Sequence, residues 1–231
     1  MNIPASNQPK YQYKYLIFMS VFYFLGWVVS YPVVYKLIYI HHVLESSATL
    51  LFPLSYAVAD IITEVYGYKV ARQVVWAGVI CGLIFSIALQ LISYIPSASP
   101  NGDSYYVVFG HITRIYASIT LGSLIGNFLN IYFISKFKVR FSGRFFWARS
   151  IFSTAIGELT FTIIAGIMVW AGIQTWSKLA VLLLNAYLFK IIYALVATGP
   201  AAFIARYLKK IEHSDAYDVG IDYNPFKLNV D

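Results

Sequence analysis

Charge is scarce in this 231-residue chain: 12% of its residues are Asp, Glu, Lys or Arg, against roughly 25% in an ordinary soluble domain. Apolar residues make up 59%, aromatics 18%, and the mean hydropathy is +0.66. A soluble globule of this size could not hide so much apolar surface, and the same composition excludes a disordered chain. Cysteine is nearly absent. Cys81 stands alone in an apolar run, which excludes an internal disulfide framework and a cysteine-based zinc site and leaves the redox compartment unread. GxxxxGK, GxGxxG and HExxH are all missing, so no ATP-driven motor and no common catalytic signature is carried here. His41, His42 and His111 fall in connections and His213 in the tail, without metal-ligand spacing. No cofactor, no metal and no enzymatic activity are therefore expected. An intramembrane hydrolase would need a nucleophile and base or a metal, and the apolar spans hold no histidine.

What is present is length without charge. Residues 15–35, 73–102, 115–135 and 159–177 contain no formal charge, and about 20 apolar residues suffice to cross a bilayer. The pattern predicts an all-α polytopic membrane protein with six transmembrane helices in one bundle, at roughly 15–35, 48–64, 70–95, 112–135, 149–171 and 179–205. A barrel is disfavoured, because its strands alternate apolar and polar residues and these runs are continuous. The first span follows Lys10 and Lys14 as a signal peptide would. Its apolar stretch is longer than a signal core and no small-x-small site follows, so it reads as a helix. Segment 96–111, PSASPNGDSYYVVFGH, is turn-rich and reads as an external loop. The expected organisation is a cytoplasmic segment 1–14, a transporter domain 15–208 and a cytoplasmic tail 209–231.

The net charge of +7 does not form a patch on a polar domain, so it speaks for lipid head groups and topology, not for nucleic acid. Thirteen basic residues fall on one side of the six spans: Lys10, Lys14, Lys69, Arg72, Lys136, Lys138, Arg140, Arg144, Arg149, Arg206, Lys209, Lys210 and Lys227. Lys36, Arg114 and Lys178 fall on the other. By the positive-inside rule both termini are cytoplasmic.

Ionisable groups deep in a span are costly and face protein or water. Asp60 and Glu64 lie four residues apart on one helix face, where like charges repel; Glu64 could instead mark a helix end and pair with Lys69 or Arg72. Glu158 is central in the fifth span with Thr154 and Thr162 one turn to either side. Lys190 is central in the sixth and should pair with Asp60 or Glu158, either as a binding device or as a structural ion pair. Ser123 and Asn127 share a face, and Gly122, Ser123 and Gly126 allow a close helix approach. Pro53 and Gly199-Pro200 interrupt the second and sixth spans, which suggests broken helices near the charges. Phe52, Tyr56 and Tyr193 could stack on a planar ligand, although belt or core is the commoner role of such rings.

The stretch FPLSYAVADIITEVYGYKVARQVVWAG (52–78), with GSLIGNF (122–128), WARSIFSTAIGE (147–158), NAYLFKIIYALVAT (185–198) and DYNPF (222–226), resembles the queuosine precursor transporter family, also called the vitamin uptake transporter family. The matching stretches cover most of the chain, and D-x-x-T-E-x-x-G is fairly specific. The resemblance implies a six-helix, multi-pass protein of the bacterial inner membrane that imports 7-deazaguanines such as 7-cyano-7-deazaguanine and 7-aminomethyl-7-deazaguanine for tRNA queuosine modification. It also implies that Asp60, Thr63, Glu64, Gly67, Asn127, Arg149, Ser153, Glu158 and Lys190 are the family's polar positions. The sixth span departs from the pattern: Tyr193-Ala194 and Thr198-Gly199-Pro200 stand where an acidic residue and a Thr-Pro are often found.

A guanine-like edge presents two adjacent N–H donors beside a carbonyl, which a carboxylate together with an ammonium or amide could read. The candidate substrate site is thus Asp60, Glu64, Asn127, Glu158, Lys190, Phe52, Tyr56, Arg149 and Tyr193. The expected partners are a small-molecule substrate and membrane lipids, with a homodimer left open. The competing reading is a membrane subunit that captures another vitamin-like molecule and is energised by a separate module.

Overall fold

The computed structural model describes residues 13–98 and 103–227. Its elements in chain order are α1 (Leu16–Val28), a hairpin of β1 (Leu37–Ile40) and β2 (Val43–Ser46), α2 (Phe52–Tyr66), α3 (Tyr68–Ser93), α4 (Asp103–Phe109), α5 (Ile112–Arg140), α6 (Phe146–Trp170) and α7 (Trp176–Glu212). Short 3-10 turns at Tyr31–Val33 and Ser47–Leu50 flank the hairpin. Six of the described helices are long and apolar enough to cross a membrane, and the six expected spans coincide with them.

The bundle is ordered by what each helix hides. In the span Ser47–Tyr66, which is mostly α2, 78% of the apolar window is buried, against 17% in α7, so α2 is the central helix. The others leave Ile17, Phe18, Ile84, Val196 and Phe203 exposed, as suits surfaces facing hydrocarbon. On α5 and α6 small residues do the packing. A methyl group on Gly126 would lie 2.6 Å from the Gly157 carbonyl oxygen, and one on Gly122 would lie 2.8 Å from Ala165 Cβ. The close approach expected of Gly122, Ser123 and Gly126 is thereby realised.

The α2–α3 reversal hangs on one residue, Gly67, whose φ of +86° a side chain would strain. Its amide donates to the Thr63 carbonyl at 3.0 Å, closing α2, and α3 begins at the next residue.

Several local expectations need correction. Segment 96–111 contains α4, and residues 99–102 lie outside the described part. Pro53 does not break a span: it occupies the first turn of α2, where no N–H is needed. Nor does Pro200, because α7 runs through it unbroken from Trp176 to Glu212. The β-hairpin was not anticipated at all. His41 and His42, both at positive φ, form the two-residue turn that the right-handed twist of paired strands prefers.

The described ends of the chain meet. Lys14 and Tyr15 donate their backbone N–H groups to the Glu212 carboxylate at 3.2 and 2.6 Å, an anion at a helix N-terminus. The segment after α7 does not hang free, but folds across this end of the bundle as a strap. Asp218 accepts from the Tyr68 backbone at 2.9 Å and from the Ser135 hydroxyl at 2.5 Å. Tyr68 Oη donates to the Tyr223 carbonyl at 2.8 Å, and Trp76 Nε1 to the Pro225 carbonyl at 2.7 Å. Burial would raise the Asp215 carboxyl, but Lys138 and Lys209 hold it below the usual carboxylate range. Lys14, Arg72, Lys138, Arg149 and Lys209 all lie at this strap end, whereas the hairpin occupies the opposite end. Lys10 lies outside the described residues.

Candidate substrate site

A cavity of about 70 Å³ opens between the hairpin, the start of α2 and the hairpin-end halves of α5, α6 and α7. One water needs about 10–15 Å³ on the same measure, so several fit. Most of its wall is apolar, including Val34, Ile119, Val169 and Leu182. Phe52 from α2 and Phe161 from α6 stack beside it with centroids 4.3 Å apart and planes 14° from parallel.

Two charged side chains line this cavity, Glu45 from β2 and Lys190 from α7. Lys190 Nζ lies 2.9 Å from Glu158 Oε2 and donates to Thr162 Oγ1 at 3.1 Å. The same ammonium stands 4.3 Å from the Phe161 centroid and 5.3 Å from that of Phe52, within cation–π range. Of the two partners foreseen for Lys190, the structure selects Glu158. Among the described residues neither Glu45 nor Glu158 makes a hydrogen bond through its carboxylate oxygens, but Glu158 has the ammonium 2.9 Å away and Glu45 has no cation that close.

Asp60 sits about two turns beyond Phe52 on α2, toward the strap end. It accepts from Asn130 Nδ2 at 2.6 Å, from the Ser150 hydroxyl and from Thr154 Oγ1 at 3.2 Å. Its carboxylate therefore ties α2 to α5 and α6. Ser150, Thr154 and Glu158 follow one another at four-residue steps, so Asp60 and the Lys190–Glu158 pair share one face of α6 without touching.

Glu64, one further turn along, pairs across helices. Arg149 reaches it through both terminal nitrogens, at 2.9 and 3.2 Å, the fork geometry that guanidinium and carboxylate favour. Lys209 lies 2.6 Å and Lys138 4.0 Å from its Oε1. These partners on α5, α6 and α7 replace the expected pairing with Lys69 or Arg72. Arg72 itself donates to the Asn224 carbonyl of the strap at 2.7 Å.

Of the sequence-derived candidates, Phe52 and Lys190 line the cavity, and Glu158 stands behind them, paired with Lys190. Tyr56 is fully buried beside them, its ring 5.9 Å from that of Phe52 and its hydroxyl without a partner among the described residues. Asn127 donates to the Ser123 carbonyl at 3.1 Å and leaves Oδ1 unmet. Asp60, Glu64 and Arg149 form the deeper layers. Tyr193 lies away from all of these, in an apolar groove with Met19, Phe22 and Pro200. Glu45 escaped the sequence reading because its segment read as a loop. A usable signal was present, since it is the first acidic residue of the chain.

The sequence model of the family described as "Putative vitamin uptake transporter" matches residues 46–204, more than half of the chain. This chain belongs to the vitamin uptake transporter family. The matched span begins next to Glu45 and contains α2 through most of α7, hence every other charged residue of the cavity and the layers beneath it except Lys209. A protein of Bacillus subtilis (strain 168) named "Probable queuosine precursor transporter" is 27% identical to this family member over 150 residues, which cover 64% of this chain and 65% of the relative. This chain thus matches just under two thirds of the relative's length. No solved structure matches it.

Proposed function

We propose that this protein imports 7-deazaguanine precursors of queuosine across the bacterial inner membrane, with both termini cytoplasmic. The observation that carries the proposal is the cavity at which an ammonium, a carboxylate and an aromatic pair meet in a chain of a vitamin uptake transporter family. The name of the Bacillus subtilis relative supports the substrate class. A 7-deazaguanine is flat, which suits a wall built on Phe52 and Phe161. Its polar edge carries a carbonyl acceptor that Lys190 can serve and neighbouring N–H donors that a carboxylate can accept. The cavity binds the ligand, while Asp60, Glu64 and Arg149 hold α2 against its neighbours beneath it.

The test is tRNA queuosine in cells that cannot synthesise the precursor, lack other uptake and are fed 7-cyano-7-deazaguanine at limiting concentration. Queuosine should appear when this chain is expressed, and Lys190→Met should abolish it at matched expression. Equal queuosine with and without the chain would refute the proposal.

A further inference from the structure

Two buried carboxylates stand at or beside the cavity, Glu45 in its lining and Glu158 behind Lys190, and only the second has a cation beside it. Glu158 has no hydrogen-bond partner on either oxygen among the described residues, but the Lys190 ammonium stands 2.9 Å away and compensates its charge. Glu45 is 1% exposed, lines the cavity and has no partner on either oxygen among the described residues. A buried carboxylate with both oxygens unmet is expensive in either protonation state. Ionised, it lacks donors; protonated, its O–H lacks an acceptor. Buried polar groups are normally paired, and an unmet one lining a cavity marks where a missing donor belongs.

We propose that Glu45 is the specificity residue of this site, its two carboxylate oxygens receiving a pair of parallel N–H groups from the polar edge of a flat ligand. For a 7-deazaguanine these are the N1–H and the 2-amino group. The assignment rests on the substrate class proposed above and deepens it. It selects Glu45 over Asp60, whose oxygens already take three donors, and over Glu158, which neutralises Lys190. The hairpin explains the position. Its register sets Glu45 opposite Ile38, and Ser46 fixes the strand end by donating to the Val34 carbonyl at 2.6 Å and accepting from the Ala48 amide at 3.3 Å. Among the lining residues, Lys190 is the one other charged group facing Glu45. Burial pushes the Glu45 carboxyl up to about 7 against the opposing pull of the Thr49 hydroxyl, the Lys190 ammonium and the Ser46 backbone.

The test compares 7-cyano-7-deazaguanine with its 2-deamino analogue, 7-cyano-7-deazahypoxanthine, for binding to the purified full chain in nanodiscs. Wild type should bind the 2-amino ligand about ten- to a hundredfold more tightly, the effect of one buried unmet donor or acceptor. Glu45→Gln should lose that preference, chiefly through weaker binding of the 2-amino ligand. Its ligand-free melting temperature should equal or exceed that of wild type, because an unpartnered buried carboxylate contributes nothing to folding. A Glu45→Gln chain that keeps the full preference would overturn the assignment. So would one that melts well below wild type, which would make Glu45 a structural group. A wild type that binds both compounds equally well would also overturn it while leaving the transport proposal standing. Wild type binding neither compound would instead strike the substrate class itself.

Discussion

The Lys190 ammonium stands 2.9 Å from the Glu158 carboxylate and 4.3 Å from the Phe161 ring centroid, so one cation serves an ion pair and an aromatic face together. Removing one member of a buried pair costs about 3–5 kcal/mol, whereas replacing both with neutral groups is often harmless. Glu158→Gln and Lys190→Met should each lower the unfolding temperature in detergent, and the double variant should recover most of the loss. Precursor uptake should stay absent in the double variant. Recovery of uptake along with stability would reduce the pair to a structural role.

Asp60→Asn changes a three-fold acceptor into a group that is half donor, facing Asn130, Ser150 and Thr154. One badly met donor costs about 1–3 kcal/mol. Thermal unfolding should register this loss, while affinity for 7-cyano-7-deazaguanine stays within about threefold of wild type, since below roughly 0.7 kcal/mol no contact to ligand is at stake. A larger loss of affinity at unchanged stability would move Asp60 into the binding site.

The buried Glu45 carboxyl is pushed up to about 7 from its ordinary 4.5. Between those values the folded protein holds a proton that the unfolded chain has released, so the cost of burying the carboxyl is least below the lower value and grows as pH rises through the upper one. Wild type should therefore lose melting temperature between about pH 5 and about pH 8 more steeply than Glu45→Gln. Parallel profiles would show that the carboxyl titrates normally.

Asp218 joins the strap to the Tyr68 backbone and to Ser135. Asp218→Ala strips both contacts, and about 1–3 kcal/mol should disappear from the stability of that end. Limited proteolysis should then cut after α7 sooner than in wild type, with the hairpin end unaffected. Unchanged proteolysis would show that Tyr223, Asn224 and Pro225 hold the strap without it.

Reporter fusions at residue 105 and at the C-terminus should report opposite compartments, with the C-terminus inside. The positive-inside count predicts this orientation, and α4 lies at the opposite end of the bundle from the strap. The same compartment for both would refute the topology.

The bundle was legible because lipid as solvent makes each span a continuous apolar run, which needs no knowledge of its neighbours. Contacts between distant residues were not legible. Glu64 has basic residues five and eight positions ahead of it in sequence, yet the structure pairs it with Arg149 and Lys209. Asp60 and Glu64 share a helix face as expected, but their repulsion is answered by separate sets of partners. Lys190 had two eligible carboxylates, and only packing distinguished them. The hairpin stayed hidden because two histidines are unusual at a tight turn that normally takes Asn or Gly, and with it went the reading of Glu45. Pro200 misled in the other direction: a proline announces a break, and α7 absorbs it.

Glu64 also divides the molecule mechanically. Its carboxylate is carried by the central helix and gripped from α6 and α7, with α5 donating to its backbone carbonyl through Lys138 at 2.6 Å. Pulling any of these helices outward at the strap end strips a charged contact, whereas the wall around the cavity is mostly greasy and its helices can part there without separating ions other than Lys190 and Glu158. The protein is thus bolted at one mouth and merely latched at the other.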